Sequence, residues 1–415
     1  MSVTLALEPA RAQRAFTTLS LCFLTAVFEG IDLQSMGLAA PALGPEFHLA
    51  REQMGLVAAA SPLGLFFGAF IGGRCADLWG RKNALLLSTL VFACFQLGTA
   101  WATSYSSLVA LRFLCGLGLG GAMPSIIALT AEASGSRNDI LNVVITVAGM
   151  PTGGLLASLI GFLAGAHADW RIFFYLGGVP PLVMLPIMAV ALSESRVFRE
   201  AQAATAETNL RPSIMRALFA EARATPTLLL WIALFFTASI TYVMLNWLPV
   251  LMGSRGFPKT QALFIQVLFN VGAAGGSVLL GWRMQRRPTR LLLFACYVGL
   301  AAGLLAIALL GRDLVLVSLA VLGVGTFLLG ANFILYGLAP TYYAVTARGT
   351  GSGAAVAAAR LGSAAGPFFA GLLLGGGASE ARVLEALLPV TAIAAAAAVG
   401  LLLIRPPSSR RSAES

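Results

Sequence analysis

Residues 16–43 read FTTLSLCFLTAVFEGIDLQSMGLAAPAL, and Glu29 and Asp32 are the only charged side chains among them. As an α-helix rising about 1.5 Å per residue, a stretch this long crosses the roughly 30 Å hydrocarbon core of a bilayer. A charge at that depth costs several kcal/mol unless it is paired, hydrated or protonated, so intramembrane acids mark function by default. Glu29 and Asp32 are three apart and share one helix face. Like charges this close disfavour double ionisation, and burial adds to the effect, so at least one is expected to take up a proton readily. The bland alternative is a carboxylate paired permanently to an arginine and serving only packing.

The rest of the chain fits the same environment. Its 415 residues are 58% hydrophobic and 11% charged, with a mean hydropathy of +0.86. A soluble domain is about 25% charged. Lipid-embedded backbone must satisfy its own hydrogen bonds, which leaves helices or a closed barrel; the apolar runs are continuous rather than alternating, so helices are expected. The runs fall at 16–40, 53–75, 83–103, 106–130, 139–163 and 171–192, then at 227–252, 260–282, 289–311, 314–337, 350–374 and 384–404. The expected fold is therefore an all-α membrane protein of twelve transmembrane helices. It divides into a half over 1–192, a polar linker over 193–225 and a second half over 226–415.

The net charge of +10 does not point to nucleic acid, because no aromatic-interleaved basic stripe accompanies it. The cations cluster between the apolar runs. Placing both termini in the cytoplasm puts 19 of the 27 Lys and Arg residues on that side and six outside, the asymmetry of the positive-inside rule. The N-terminus, Met1 to Arg14, lacks the apolar core of a signal peptide. Cys22, Cys75, Cys94, Cys115 and Cys296 show no metal-ligand spacing, so neither metal nor cofactor is expected. An enzyme would need a nucleophile with a base. The two histidines, His48 and His167, fall in loops, and neither Gly-x-Ser-x-Gly nor His-Glu-x-x-His occurs.

The halves echo each other. Gly73-Arg74-Cys75-Ala76-Asp77-Leu78-Trp79-Gly80-Arg81-Lys82 follows the second run, and Gly281-Trp282-Arg283-Met284-Gln285-Arg286-Arg287 follows the eighth. Pro/Gly-rich stretches recur at Gly149 to Gly154 and at Gly362 to Gly371 with Pro367, and are expected to break the fifth and eleventh helices. Paired interruptions at matching positions point to a transporter with its cavity at the repeat interface.

The segment Gly73-x-x-x-Asp77-x-x-Gly80-Arg81-Lys82 resembles the signature loop of the major facilitator superfamily. Within that superfamily, Glu29-Gly30-Ile31-Asp32 resembles the acid-Gly-x-Asp tetrapeptide of the aromatic acid:proton symporters, which usually carry Asp at the Glu29 position. The continuation into Gly37-Leu38-Ala39-Ala40-Pro41, with Arg112-x-x-x-Gly116-x-Gly118-x-Gly120 and Arg348-Gly349-Thr350-Gly351, is most similar to the 3-(3-hydroxyphenyl)propionate branch. The resemblance implies a proton-coupled importer of a small aromatic carboxylate in a bacterial inner membrane, working by alternating access as a monomer. The rival reading is a drug or organic-acid/proton antiporter; Gly149-Met150-Pro151 matches the antiporter motif only in part, since Met150 stands where that motif has glycine.

Site residues are expected on this basis. Asp32, then Glu29, would carry the proton, and Arg112 lies at similar depth in the fourth run, on a helix that in the resembled fold lines the same side of the cavity. An Asp32–Arg112 pair that opens on protonation would leave Arg112 to hold an anion; a snorkelling arginine is the alternative. Arg360 has no acid in its own run, so a substrate carboxylate held by the guanidinium fork is a natural partner, against capping of carbonyls near Pro367. Tyr242, Asn246, Gln266, Asn270, Asn332 and Tyr336, with Trp247, are candidates for binding an aromatic ring and its phenol, against plain interhelical hydrogen bonding. The resemblance further implies that Asp77, Gly80, Arg81, Lys82, Glu132, Arg137 and Arg348 form the cytoplasmic gate.

Overall fold

The structure, a computed structural model, describes residues 2–134, 142, 145–165, 169–194, 218–219, 223–284, 289–343 and 348–404. Twelve long helices account for nearly all of them. They are α1 (Ser2–Glu46), α2 (Arg51–Trp79), α3 (Arg81–Ala100), α4 (Tyr105–Ser134), α5 (Gly149–Ala164) and α6 (Arg171–Ala191), then α7 (Ala224–Ser254), α8 (Lys259–Met284), α9 (Thr289–Leu309), α10 (Leu314–Leu338), α11 (Arg348–Gly375) and α12 (Glu380–Leu403). A short 3₁₀ turn, Ala339–Tyr342, follows α10. Among the described residues eleven helices are long and apolar enough to cross a membrane, and α8 is the twelfth long one. Large apolar side chains such as Phe70, Val190 and Leu319 lie on the exterior, where lipid replaces water.

Two details depart from expectation. Pro367 does not break α11, which is helical from Arg348 to Gly375. Transmembrane helices tolerate proline inside them; the carbonyl that Pro367 deprives of its intrahelical donor is that of Ser363, four residues back, while the indole N–H of Trp247 donates to the carbonyl of Pro367 itself at 3.1 Å and ties α11 to α7. In α5 the irregularity lies at Ala148, and Pro151 sits in the first turn of the helix that follows, where its missing N–H would have no intrahelical partner. Most of the expected linker lies outside the described residues.

Contacts group the chain into two compact units. The first comprises residues 1–43, 60–161 and 167–208; the second comprises 44–59, 162–166 and 209–415. The α1–α2 turn joins the second unit because the start of α2 packs on α11: a Cβ on Gly55 would meet the Pro367 carbonyl at 2.9 Å.

Within the first unit, small residues set the helix spacing. A Cβ on Gly64, Gly68 or Gly72 of α2 would fall 2.0–2.2 Å from Phe113, Leu117 or Gly121 of α4. Facing them, Gly116 and Gly120 rest on Ser61 and Leu65, while Gly118 faces α3 at Phe92. The Gly-x-Gly-x-Gly run thus serves two neighbours of α4 at once. Helix α1 lies as close to α5: a Cβ added to Gly30 would fall 1.9 Å from the Met150 carbonyl oxygen, and one added to Gly153 would fall 1.9 Å from that of Val27. The second unit repeats the device. Gly362 and Gly366 of α11 meet carbonyls of Phe235 and Ser239 on α7, and Gly272 and Gly325 join α8 to α10. Close backbone approach through small residues is how apolar helices gain contact without a hydrophobic driving force.

Candidate functional site

The tight seating of α4 against α2 and α3 places Arg112 inside the first unit, 2% exposed. Its Nη1 donates to Asp32 Oδ1 at 2.6 Å and to Gln96 Oε1 at 2.9 Å. Asp32 is fully buried. Cys115, one turn after Arg112, directs its thiol to Asp32 Oδ1 at 3.4 Å, with Gln96 Oε1 at 3.5 Å and the Phe92 carbonyl at 3.6 Å also in reach. Gln96 Nε2 donates to Ser35 Oγ at 3.4 Å, and Ser35 Oγ faces the carbonyls of Ile31 and Phe173 at 2.7 and 3.1 Å. The Phe174 ring lies 5.7 Å from the guanidinium carbon. Four helices (α1, α3, α4 and α6) therefore meet at one polar cluster.

The cluster is not saturated. Among the described residues, no hydrogen bond reaches Asp32 Oδ2 or Arg112 Nε. Burying an ion pair is offset only by good geometry and by satisfying the remaining lone pairs and protons, so a half-satisfied pair gains less from staying charged than a fully satisfied one. Glu29, one turn earlier on α1, is 1% exposed and belongs to the same buried helix face.

In the second unit, Arg360 of α11 is half-buried, and its Nη1 donates to the Tyr242 hydroxyl of α7 at 3.2 Å. Tyr336 of α10 lies within electrostatic range of the same guanidinium. Asn332, one turn before Tyr336, donates to Thr241 Oγ1 at 2.8 Å, and among the described residues its Oδ1 accepts no hydrogen bond. Gln266 is fully buried, with no hydrogen bond at either amide atom among those residues. Asn246 and Asn270 are used locally: each donates to the carbonyl four residues back on its own helix, Tyr242 and Gln266 respectively. Trp247 donates its indole N–H to the Pro367 carbonyl and so ties α7 to α11. The structure thus brings Arg360, Tyr242 and Tyr336 together.

At the α2–α3 turn, Gly80 adopts φ +93°, a left-handed conformation that favours glycine. A Cβ there would also lie 2.2 Å from Glu194 Oε2. The reason is a cap. Glu194 Oε1 accepts from the backbone N–H of Arg81 at 2.8 Å and of Lys82 at 3.2 Å, satisfying orphan donors at the start of α3. Lys82 Nζ donates to the Ala189 carbonyl at 2.6 Å, near the end of α6. Glu132 is exposed. The side chains of Asp77 and Arg348, and all of Arg137, lie outside the described residues.

Sequence reasoning missed Gln96, Cys115, Ser35 and Glu194. An amide within an apolar helix is visible in Leu85 to Ala100, but its direction is not. Glu194 reads as one charge among many in the linker, and its partners are more than a hundred residues away in the chain.

Comparison with known proteins agrees with this architecture. The chain is 41% identical to the 3-(3-hydroxyphenyl)propionate transporter of Escherichia coli, with 91% of this chain and 92% of that protein aligned. It is 33% identical to the gallate transporter of Pseudomonas putida, over 92% and 90%, and 32% identical to a 4-hydroxybenzoate transporter of Pseudomonas aeruginosa, over 91% and 90%. Among solved structures, a D-xylose-proton symporter shares the fold with a TM-score of 0.75 at 18% identity, covering 94% of this chain and 96% of that one. The family model described as Major Facilitator Superfamily matches residues 22–367. These relatives are transporters and not enzymes, and the chain belongs to the Major Facilitator Superfamily.

Proposed function

We propose that this protein imports a small aromatic carboxylic acid together with a proton, by alternating access, across a bacterial inner membrane. Both termini lie in the cytoplasm, and two six-helix halves, 1–192 and 226–415, flank a linker over 193–225. The observation that carries the reading is the buried Asp32–Arg112 pair with one carboxylate oxygen left open. Protonation of Asp32 at Oδ2 removes the negative partner of Arg112. The guanidinium then gains electrostatically from an incoming anion, which ties proton uptake to substrate uptake. Glu29 is the second acid of the pair and tunes the first through like-charge repulsion.

In the second half, Arg360 takes the carboxylate with its fork. Tyr242 and Tyr336 supply aromatic faces and hydroxyls, and the open amide atoms of Gln266 and Asn332 suit a ring hydroxyl. Asn246 and Asn270 keep a place in the site through their carbonyl oxygens. The α2–α3 turn, with Asp77, Gly80, Arg81, Lys82, Glu132, Arg137 and Arg348, forms the cytoplasmic gate, and Glu194 belongs with it. The relatives transporting 3-(3-hydroxyphenyl)propionate, gallate and 4-hydroxybenzoate point to a hydroxylated aromatic acid. Purified protein in liposomes tests this with those three acids. Symport accumulates at least one of them when the exterior is the acidic side; accumulation only when the interior is acidic identifies an antiporter instead.

A further inference from the structure

We infer that Gln96 is a positioning residue for proton coupling: it holds Arg112 by the same nitrogen that holds Asp32, and keeps it held when Asp32 becomes neutral. This deepens the proposed function and rests on it. The orientation of the amide is fixed by chemistry. A guanidinium has donors only, so the atom of Gln96 facing Arg112 is the carbonyl oxygen. That leaves the NH₂ for Ser35, whose hydroxyl hydrogen is directed to the Ile31 or Phe173 carbonyl and whose lone pair is therefore free to accept. The chain Ser35–Gln96–Arg112–Asp32 begins and ends on the same face of α1, three residues apart, and passes through α3 and α4.

The consequence is asymmetric between the two charge states. With Asp32 ionised, Nη1 donates to the carboxylate and to Gln96 together. With Asp32 neutral, its Oδ1 accepts only as an uncharged oxygen, and Gln96 is the second acceptor that remains in place, so the buried guanidinium is not left on one weak partner. The Cys115 thiol lies within 3.5 Å of both oxygens and can turn its single hydrogen to Asp32 in one state and to Gln96 in the other. Among the described residues, the charged or titratable groups around Asp32 are Arg112 and Cys115 from α4 and Glu29 from α1. Helix α3 contributes the neutral Gln96, α6 contributes Phe173 and Phe174, and α5 faces α1 with Gly149, Met150 and Gly153. Nothing else there supplies a charge to take over from Asp32.

Gln96→Leu removes the acceptor at nearly constant volume. The ionised state still has the carboxylate against Arg112, whereas the neutral state is left with one uncharged acceptor in place of two. The pH at which uptake is half-maximal then moves to the acidic side by about one unit, a tenfold change in proton concentration. Gln96→Glu keeps the oxygen and adds a negative charge beside Asp32, so the midpoint moves the opposite way. The measurement is uptake of labelled 3-(3-hydroxyphenyl)propionate into proteoliposomes over a series of external pH values, with the pH difference across the membrane held constant. Gln96→Met stands in for Gln96→Leu if that variant does not reach the membrane. Opposite shifts support the assignment. Unmoved midpoints, or shifts in one direction for both variants, overturn it, because a packing role has no reason to respond to the sign of the change. An unmodified protein that fails to accumulate the acid under the gradient overturns the proposed function itself, and the Gln96 role with it.

Discussion

Replacing Asp32 with asparagine separates carrying a proton from holding the helices together. The substitution keeps an oxygen where Oδ1 accepts from Arg112 at 2.6 Å, so the contact survives as an ordinary hydrogen bond. The charge assistance is lost, at about 1–2 kcal/mol. Truncation to alanine is harsher: it leaves a guanidinium that is 2% exposed without a counter-charge, and breaking a buried pair in this way costs about 3–5 kcal/mol. Asparagine is thus the informative variant. One proton moving down a gradient of one pH unit releases about 1.4 kcal/mol, enough for roughly tenfold accumulation of a co-transported anion. Asp32→Asn has no titratable oxygen at this site. Its expected internal-to-external substrate ratio therefore falls from about ten to near one. Exchange of labelled for unlabelled substrate, which needs no net proton movement, persists. Both are read in the same proteoliposomes, with and without an imposed gradient. An Asp32→Asn protein that still concentrates substrate about tenfold refutes the reasoning, since the proton would then be crossing elsewhere.

Three further outcomes are expected. Arg360→Lys keeps the charge but loses the planar fork and the bond to Tyr242; it raises the KM for uptake about tenfold or more, and an unchanged KM removes Arg360 from the substrate site. Gly153→Ala places a methyl 1.9 Å from the Val27 carbonyl and forces α1 off α5; overpacking of about 1–3 kcal/mol should lower the melting temperature of the purified protein and impair uptake, while Gly253→Ala, with open space around its Cβ, leaves both unchanged. Glu194→Ala uncaps two N–H groups at the start of α3 at a cost of about 0.5–2 kcal/mol; a melting temperature equal to that of the unmodified protein would show that the cap contributes nothing.

The helices were legible because hydrophobicity sustained over twenty residues suits little besides a membrane span, and the family because Gly73 to Lys82 is a dense local pattern. The Asp32–Arg112 geometry was within reach because two opposite charges at matching depth in antiparallel spans have few alternative partners. Neutral polar residues were harder. Tyr242, Asn246, Gln266 and Asn270 look equivalent in sequence, yet Asn246 and Asn270 direct their amide hydrogens to their own helix while Tyr242 meets Arg360. Side-chain direction on a helix that is apolar all round leaves no periodic trace, and Gln96 was hidden for the same reason. Pro367 misled because a proline inside a membrane helix need not break it, and the tie that holds this stretch of α11, from Trp247 to the Pro367 carbonyl, comes from 120 positions away.

The thiol beside Asp32 has a practical corollary. Spectroscopic labels and cross-linkers are usually introduced into a version of a transporter stripped of its native cysteines. Cys94 is exposed and Cys75 partly so, and no disulfide ties the five together among the described residues, which makes those two suitable for removal. Cys115 is different, because erasing it takes away a donor to the very carboxylate whose protonation such probes would be meant to follow. Serine at that position, which retains an O–H, is the replacement that keeps a reporter from rewriting what it reports.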